Sequence, residues 1–200
     1  MTEVRDGSAD DLESIATALA SAFHDDPVML HMLPKESSRA KKMRALFVSE
    51  TKRSLRVGSV VTTSDGPAKG AAIWSAPGKW KLGGLELLGQ FPLLFHLGTS
   101  TPRSLALLSK MEKVHPTEPH WYLNILGTAT EHQGKGVGSA LITPILTRCD
   151  EEGIPAYLES SKEANIPFYN RHGFEVTGEV KTKNGPKLWP MWREPRPPES

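Results

Sequence analysis

Glycines stand at positions 134, 136 and 138, preceded by Gln133 and interleaved with Lys135 and Val137. The residues before them, His120–Thr128, alternate as a strand does, and those after, from about Gly138 to Glu152, carry a helical stripe. A side-chain-poor turn of this kind presents consecutive backbone N–H groups at the positive end of a helix. That arrangement suits a diphosphate, with Lys135 as an added cation, although a tight strand-to-helix turn needs the same glycines. The spacing differs from the GxxxxGK[ST] of a P-loop. It also differs from the dinucleotide fingerprint, because the glycines fall at i, i+2 and i+4.

The remaining reactive side chains narrow the chemistry. Cys149 lies on the apolar stripe of the helix after the glycines, which reads as a core thiol rather than an acyl-carrying nucleophile. A single cysteine excludes an intramolecular disulfide and a cysteine-rich zinc site, and it suits a reducing compartment. The seven histidines show no paired metal spacing: His24 and His31 are separated by Pro27, and His115 and His120 by Pro116 and Pro119. No metal is expected. Asp25 and Asp26 could face an amine, or could simply end the first helix. Lysines and arginines number 24 against 23 acidic residues, so no electrostatic footprint for nucleic acid or an acidic membrane exists. Leu82–Leu97, the most apolar stretch, is interrupted by Gly83, Gly84, Glu86, Gly89 and Pro92 and is too broken to span a bilayer. The polar, acidic N-terminus does not read as a signal peptide. The expectation is a soluble, cytoplasmic protein.

The elements that must position these groups fit one domain over residues 1–200, since 200 residues with 38% apolar content can build one core. Ser8 to His24 reads as an amphipathic helix capped by Ser8, with Leu12, Ile15, Ala16, Leu19 and Phe23 on one face. A short helix through Val28, Met29, Met32 and Leu33 follows, then a basic helical stretch from Lys35 to Arg56. Ser59–Ser64 and Lys69–Trp74 form a hairpin about Asp65-Gly66-Pro67. Residues 77–116 read as a helical insertion in two pieces. After the glycine unit come a strand, Ala156–Ser160, a short helix, Asn165–His172, and strands over Phe174–Lys181 and Lys187–Arg193. Pro190 predicts an edge or a bulge for the last of these, and residues 195–200 a flexible tail. The pattern is α/β.

The run Gln-Gly-Lys-Gly-Val-Gly resembles the acyl-CoA loop of the GNAT N-acetyltransferase superfamily, [Gln/Arg]-x-x-Gly-x-[Gly/Ala]. The likeness extends to Asn165, Phe168 and Tyr169 on the next helix. Glu131 to Ala140, Pro144, Leu158-Glu159-Ser160-Ser161 and Asn165-Ile166-Pro167-Phe168-Tyr169 are similar to the puromycin N-acetyltransferase group. This resemblance implies a single mixed, mostly antiparallel, twisted and splayed sheet of six or seven strands, flanked by helices. The parallel pair would be His120–Thr128 with Ala156–Ser160. It implies acetyl transfer from acetyl-CoA directly to an amine, the acceptor being a small molecule. A protein or peptide acceptor, or a non-catalytic acetyl-CoA sensor, is the alternative.

By the same resemblance Leu126, Gly127, Thr128, Gln133, Gly134, Lys135, Gly136, Val137, Gly138, Ser139, Asn165, Phe168 and Tyr169 would hold the cosubstrate. Tyr169 would protonate the departing thiolate, and backbone N–H groups at a bulge around Leu126–Thr128 would stabilise the oxyanion. The central-strand positions where relatives carry a base are Tyr122 and Asn124, neither of them basic enough. Glu159 and His120 are the candidate bases, beside a path of ordered water. Asp25, Asp26, Met29, Tyr122 and Asn124 would line the acceptor pocket. The insertion could roof that pocket or form a dimer interface, so a monomer or a homodimer is expected.

Overall fold

The computed structural model describes residues 2–81, 101–181 and 185–196. Ser8 forms a capping box with Asp11, whose Oδ2 accepts from the Ser8 N–H and hydroxyl, both at 2.8 Å. A short 3-10 turn then leads into α1, Leu12–Ala22. Asp26 caps α2, Pro27–Met32, accepting from the N–H groups of Val28 and Met29 at 2.9 and 3.1 Å. Helix α3 spans Glu36–Val57. Strand β1 (Val4–Asp6) pairs with β2 (Gly58–Thr63), which forms the expected hairpin with β3 (Gly70–Ser75). Of the insertion, α4 is described over Thr101–Val114; the expected first helical piece, with Phe91 and Phe95, lies outside the described residues. The chain continues through β4 (Trp121–Thr128), α5 (Val137–Glu152), β5 (Ala156–Ser160) and α6 (Ile166–Arg171). It closes with β6 (Glu175–Val176), β7 (Val180–Lys181) and β8 (Lys187–Arg193).

The sheet has eight strands in the order β1-β2-β3-β4-β5-β8-β6, with β7 also on β8. Every pair is antiparallel except β4 with β5. Beside β1, which the sequence reading did not include, one extra strand has a local cause. The expected single strand over Phe174–Lys181 is split, because its partner carries Pro190. The Pro190 carbonyl accepts from the Thr177 N–H at 2.9 Å. On an antiparallel strand a residue's N–H points the same way as its carbonyl, so Pro190 leaves that ladder without one donor. β6 pairs on one side of the gap and β7 on the other. Pro190 therefore sits in an interior strand at an interruption, not at a sheet edge.

Two apolar layers cover the sheet. Ile15, Ala16 and Leu19 of α1 and Met43 and Phe47 of α3 pack on Val60, Ala71 and Ile73. Leu141, Ile142, Ile145, Leu146 and Cys149, the stripe expected for α5, pack on Val61, Ala72, Trp74, Leu123 and Leu158 of the other face. Pro144 is accommodated inside α5, where Ala140 loses an i+4 donor. Arg193 fastens the far edge: it is buried, forms a bidentate pair with Asp150 at 2.8 and 2.7 Å, and donates to the His172 carbonyl at 2.9 Å.

Candidate active site

Gly134 and Gly136 have φ of +73° and +78°, and a Cβ at either would meet nothing within 4 Å. L-residues resist that conformation, and both glycines line a cleft. Gly136 is the N-cap of α5. Among the described residues, no N–H from Gly134 to Ser139 has an acceptor. Gln133 braces the loop by donating from Nε2 to the Thr128 carbonyl at 3.1 Å. Lys135 does not join the loop's open face. Its Nζ donates to the Glu131 carbonyl at 2.9 Å, so the expected cation is folded back, and Arg171 faces the cleft instead.

Strands β4 and β5 pair only at Trp121–Ala156 and Tyr122–Tyr157, and beyond that they part. A bulge lies on the other side of β4: Trp74 pairs with Leu123 and Ile73 with Ile125, leaving Asn124 as the extra residue. The bulge thus falls two residues before the Leu126–Thr128 segment where it was expected. The Ala129 N–H donates to the Lys69 carbonyl at 2.9 Å. Counting back along an antiparallel ladder turns the N–H groups of Leu126 and Thr128 away from β3, into the gap. Gly127 lies between them because α1 crosses there: a Cβ would come within 2.8 Å of Leu19 and 2.9 Å of Phe23.

A cleft of about 480 Å³ runs from the glycine loop through this gap. Leu126, Gly127, Thr128, Gln133, Gly134, Gly136, Val137, Gly138, Ser139, Asn165, Phe168 and Tyr169 all line it, as do Asn124, Asp26 and Glu159. Tyr169 is buried, and burial, with the nearby Asp26 charge, holds its phenol well above the usual tyrosine range. The hydroxyl is therefore a proton donor at neutral pH. Asp26 is doubly engaged, by the α2 N-terminus and by the Ser161 hydroxyl. The Glu159 side chain is 2% exposed.

Four other expected site residues lie elsewhere. Asp25 is outside the cleft and is paired with Lys162 at 2.7 Å. Met29 packs with the α1–α3 core. Tyr122 shares with Tyr157 a cluster behind Glu159, at a ring separation of 5.8 Å. His120 is 2% exposed and off the cleft, its Nδ1 donating to the Glu118 carbonyl at 2.6 Å. Sequence reasoning did not find Ser161, Lys162 and Arg171, which line the cleft. Their only signal was adjacency to Glu159 and Tyr169. It also passed over His115, whose ring stacks on Trp80 at 3.6 Å and whose Nδ1 lies 3.7 Å from Glu159 Oε1. Among the described residues there is no cluster of three or more metal-ligating side chains and no helix long and apolar enough to cross a membrane.

Residues 113–194 match the acetyltransferase (GNAT) domain family. An uncharacterised N-acetyltransferase of Schizosaccharomyces pombe is 33% identical over 178 residues, covering 83% of this chain and 71% of the relative. A Corynebacterium glutamicum structure described as a histone acetyltransferase and related acetyltransferase is 28% identical, with a TM-score of 0.73 and full coverage of both chains. The PaiA N-acetyltransferase of Thermoplasma acidophilum, solved with coenzyme A, has a TM-score of 0.57 at 15% identity, covering 97% of this chain and 99% of that one. With a splayed sheet, a glycine loop opening a helix, and a relative of this identity and coverage, the chain belongs to the GNAT acetyltransferase family and is an acyltransferase.

Proposed function

We propose that the protein transfers acetyl from acetyl-CoA directly to the amine of a small molecule. The observation that carries this reading is the continuity of one cleft. It joins acceptor-free N–H groups at Gly134–Ser139 to Tyr169 and a buried Glu159. Acetyl-CoA supplies a thioester carbonyl and a thiolate leaving group. The loop N–H groups hold its diphosphate at the α5 N-terminus, with Arg171 as the nearby cation. The N–H groups of Leu126 and Thr128 serve both pantetheine and the developing oxyanion. Glu159 removes the ammonium proton of the acceptor, and the Tyr169 hydroxyl gives its proton to the departing sulfur.

A protein acceptor is the second reading, favoured by the description of the Corynebacterium glutamicum relative as a histone acetyltransferase. An acceptor screen decides between them. The protein is mixed with acetyl-CoA and, separately, puromycin, 2-phenylethylamine, spermidine and a lysine-rich histone-tail peptide. Thiol release and acceptor mass are then read. A gain of one acetyl group on a small amine supports the proposal. Acetylation of the peptide alone sinks the small-molecule reading. Tight acetyl-CoA binding without transfer to any acceptor favours a sensor.

A further inference from the structure

The buried Glu159 carboxylate of the cleft does not stand alone. Behind Glu159, three groups form a chain. The Nδ1 of His115 faces Glu159 Oε1 at 3.7 Å, the Nε2 atoms of His115 and His120 are 3.0 Å apart, and the Nδ1 of His120 is 2.6 Å from the Glu118 carbonyl. All three side chains are shielded. The two histidines are 8% and 2% exposed, and the Glu159 side chain 2%. Oε1 of Glu159 is buried with no hydrogen-bond partner.

Counting hydrogens along this chain leaves one short. A carbonyl only accepts, so Nδ1 of His120 carries a hydrogen. One further hydrogen lies between the two Nε2 atoms. Two neutral imidazoles own two hydrogens in all, and these fill the first two contacts. The third contact, His115 to Glu159, then sets an imidazole lone pair against a carboxylate. Such a contact attracts a third proton. His120 is a poor place for it, because burial holds that imidazole below the ordinary histidine range, and the neighbouring His115 adds to the effect. An added proton therefore goes to His115 or to Glu159, which face each other at 3.7 Å.

We propose that Glu159 and His115, oriented by His120, form one proton-accepting pair, anionic in its reactive form, and that this pair is the base of the acetyl-transfer site. This rests on the reading of Glu159 given above. An isolated carboxylate, with an ordinary pKa of about 4, is a weak acceptor for an ammonium proton at neutral pH. A carboxylate facing an imidazole lone pair is a stronger one. The step balances: the acceptor ammonium gives one proton to the anionic pair, becoming a neutral amine, and the pair becomes uncharged. His115 acts through Glu159 and is a positioning residue. The other titratable groups around the pair are Tyr122 from β4, Tyr157 from β5 and Glu118 from the turn before β4, with Glu50 of α3 acting on Tyr122. Both tyrosines are held above their usual range by burial, reinforced by the Glu159 charge, so they stay neutral while the pair titrates. Trp80 and Trp192 close over the two imidazoles.

The test needs no ligand. Full-length protein with 15N-labelled imidazoles is titrated by long-range 1H–15N NMR, beside E159Q. The expected result is an Nδ1–H tautomer for His120 and His115 ring signals whose response to pH differs between the parent and E159Q. A His115 that titrates alike in both proteins, or an Nε2–H tautomer for His120, overturns the proposal. A kinetic arm uses 2-phenylethylamine, or the better acceptor from the screen. In H115Q the acidic limb of kcat/KM should move to lower pH and the plateau should fall about three- to tenfold, as a weaker base demands. An unmoved limb overturns the role as base. H115N serves if H115Q does not fold, and the comparison with E159Q decides if neither does. A protein that shows the paired titration but acetylates nothing refutes the enzyme reading and not the proton pair.

Discussion

Aspartate at position 136 separates what the glycine loop does for the fold from what it does for the ligand. Gly136 has φ +78° and ψ 2° and caps α5. Forcing an L-residue into that region costs about 1–2 kcal/mol, with aspartate among the more tolerant residues. A carboxylate at a helix N-cap accepts from the free N–H groups but improves on glycine by only a few tenths of a kcal/mol. A Cβ there meets nothing within 4 Å, so no steric cost is added. The strain is offset only in part, so Gly136→Asp should fold but be less stable than the parent by about 1 kcal/mol. Gly136→Ala, with the strain and no cap, should be less stable still, by about 1–2 kcal/mol relative to the parent. For the ligand the order reverses. Two unit charges about 5 Å apart, at an effective dielectric of about 20, repel by about 3 kcal/mol, and the new carboxylate also occupies the N–H groups. Calorimetry with acetyl-CoA should show Gly136→Asp weaker by a hundredfold or more and Gly136→Ala weaker by much less. An unchanged Kd in Gly136→Asp would refute diphosphate binding at this loop.

Other perturbations probe the rest of the site. Tyr169→Phe keeps the packing and removes only the proton donor, so kcat should fall roughly 10²–10⁴-fold with acetyl-CoA affinity retained; near-normal turnover would leave Tyr169 a packing residue. Burial pushes the Cys149 thiol up to about 12, so a disulfide reagent should find no protein thiol in the native state and one after unfolding. Rapid native labelling would contradict the packing of α5. The hydrogen bonds from Arg5 hold the Asp11 carboxyl below the usual carboxylate range. For Asp150 burial acts upward, but the hydrogen bonds from Arg193 and its charge prevail, and that carboxyl is also lowered. Both depressed groups stabilise the fold above the unfolded carboxylate value of about 3.9 and lose that contribution as pH falls through the folded values. Chemical denaturation should therefore show stability declining below about pH 5, less steeply in Asp11→Asn.

What the sequence reveals here is what local spacing encodes. The stripe Leu141, Ile142, Ile145, Leu146 and Cys149 recurs at helical period, and all five side chains are buried as expected. The glycine loop is legible because three glycines within five residues have few local uses. The cap residue Ser8 and its partner Asp11 are three residues apart. The parts that were missed depend on pairs distant in sequence. Asp26 meets Ser161 across 135 positions and Asp25 meets Lys162 across 137, so one acidic neighbour turns into the cleft and the other, outside it, pairs with a half-buried lysine. Nothing in the dipeptide distinguishes them. Lys135 was assigned to the ligand by charge, but an adjacent turn offered its carbonyl first.

The cleft itself arises from two breaks in regular pairing, each readable only after the strands are in register. Parallel pairing of β4 with β5 ends at Tyr122 and Tyr157. At the next positions β4 carries an unpaired Asn124 against β3. An extra residue advances the face alternation by one, so Leu123 and Leu126, rather than Leu123 and Ile125, point to the α5 layer. The bulge bends and twists β4 away from β5. That opening exposes the N–H groups of Leu126 and Thr128 and sets Glu159 against a gap instead of a neighbouring strand. On the closed side, where the two strands remain paired, the same face collects Tyr122, Tyr157, His115 and His120 into a tight aromatic block. Glu159 stands at the boundary, with the cleft before it and the imidazoles behind. A position one residue earlier or later on β5 would point into the apolar layer, as Leu158 does. The bulge at Asn124 and the register of β5 therefore decide which carboxylate of β5 faces the cleft.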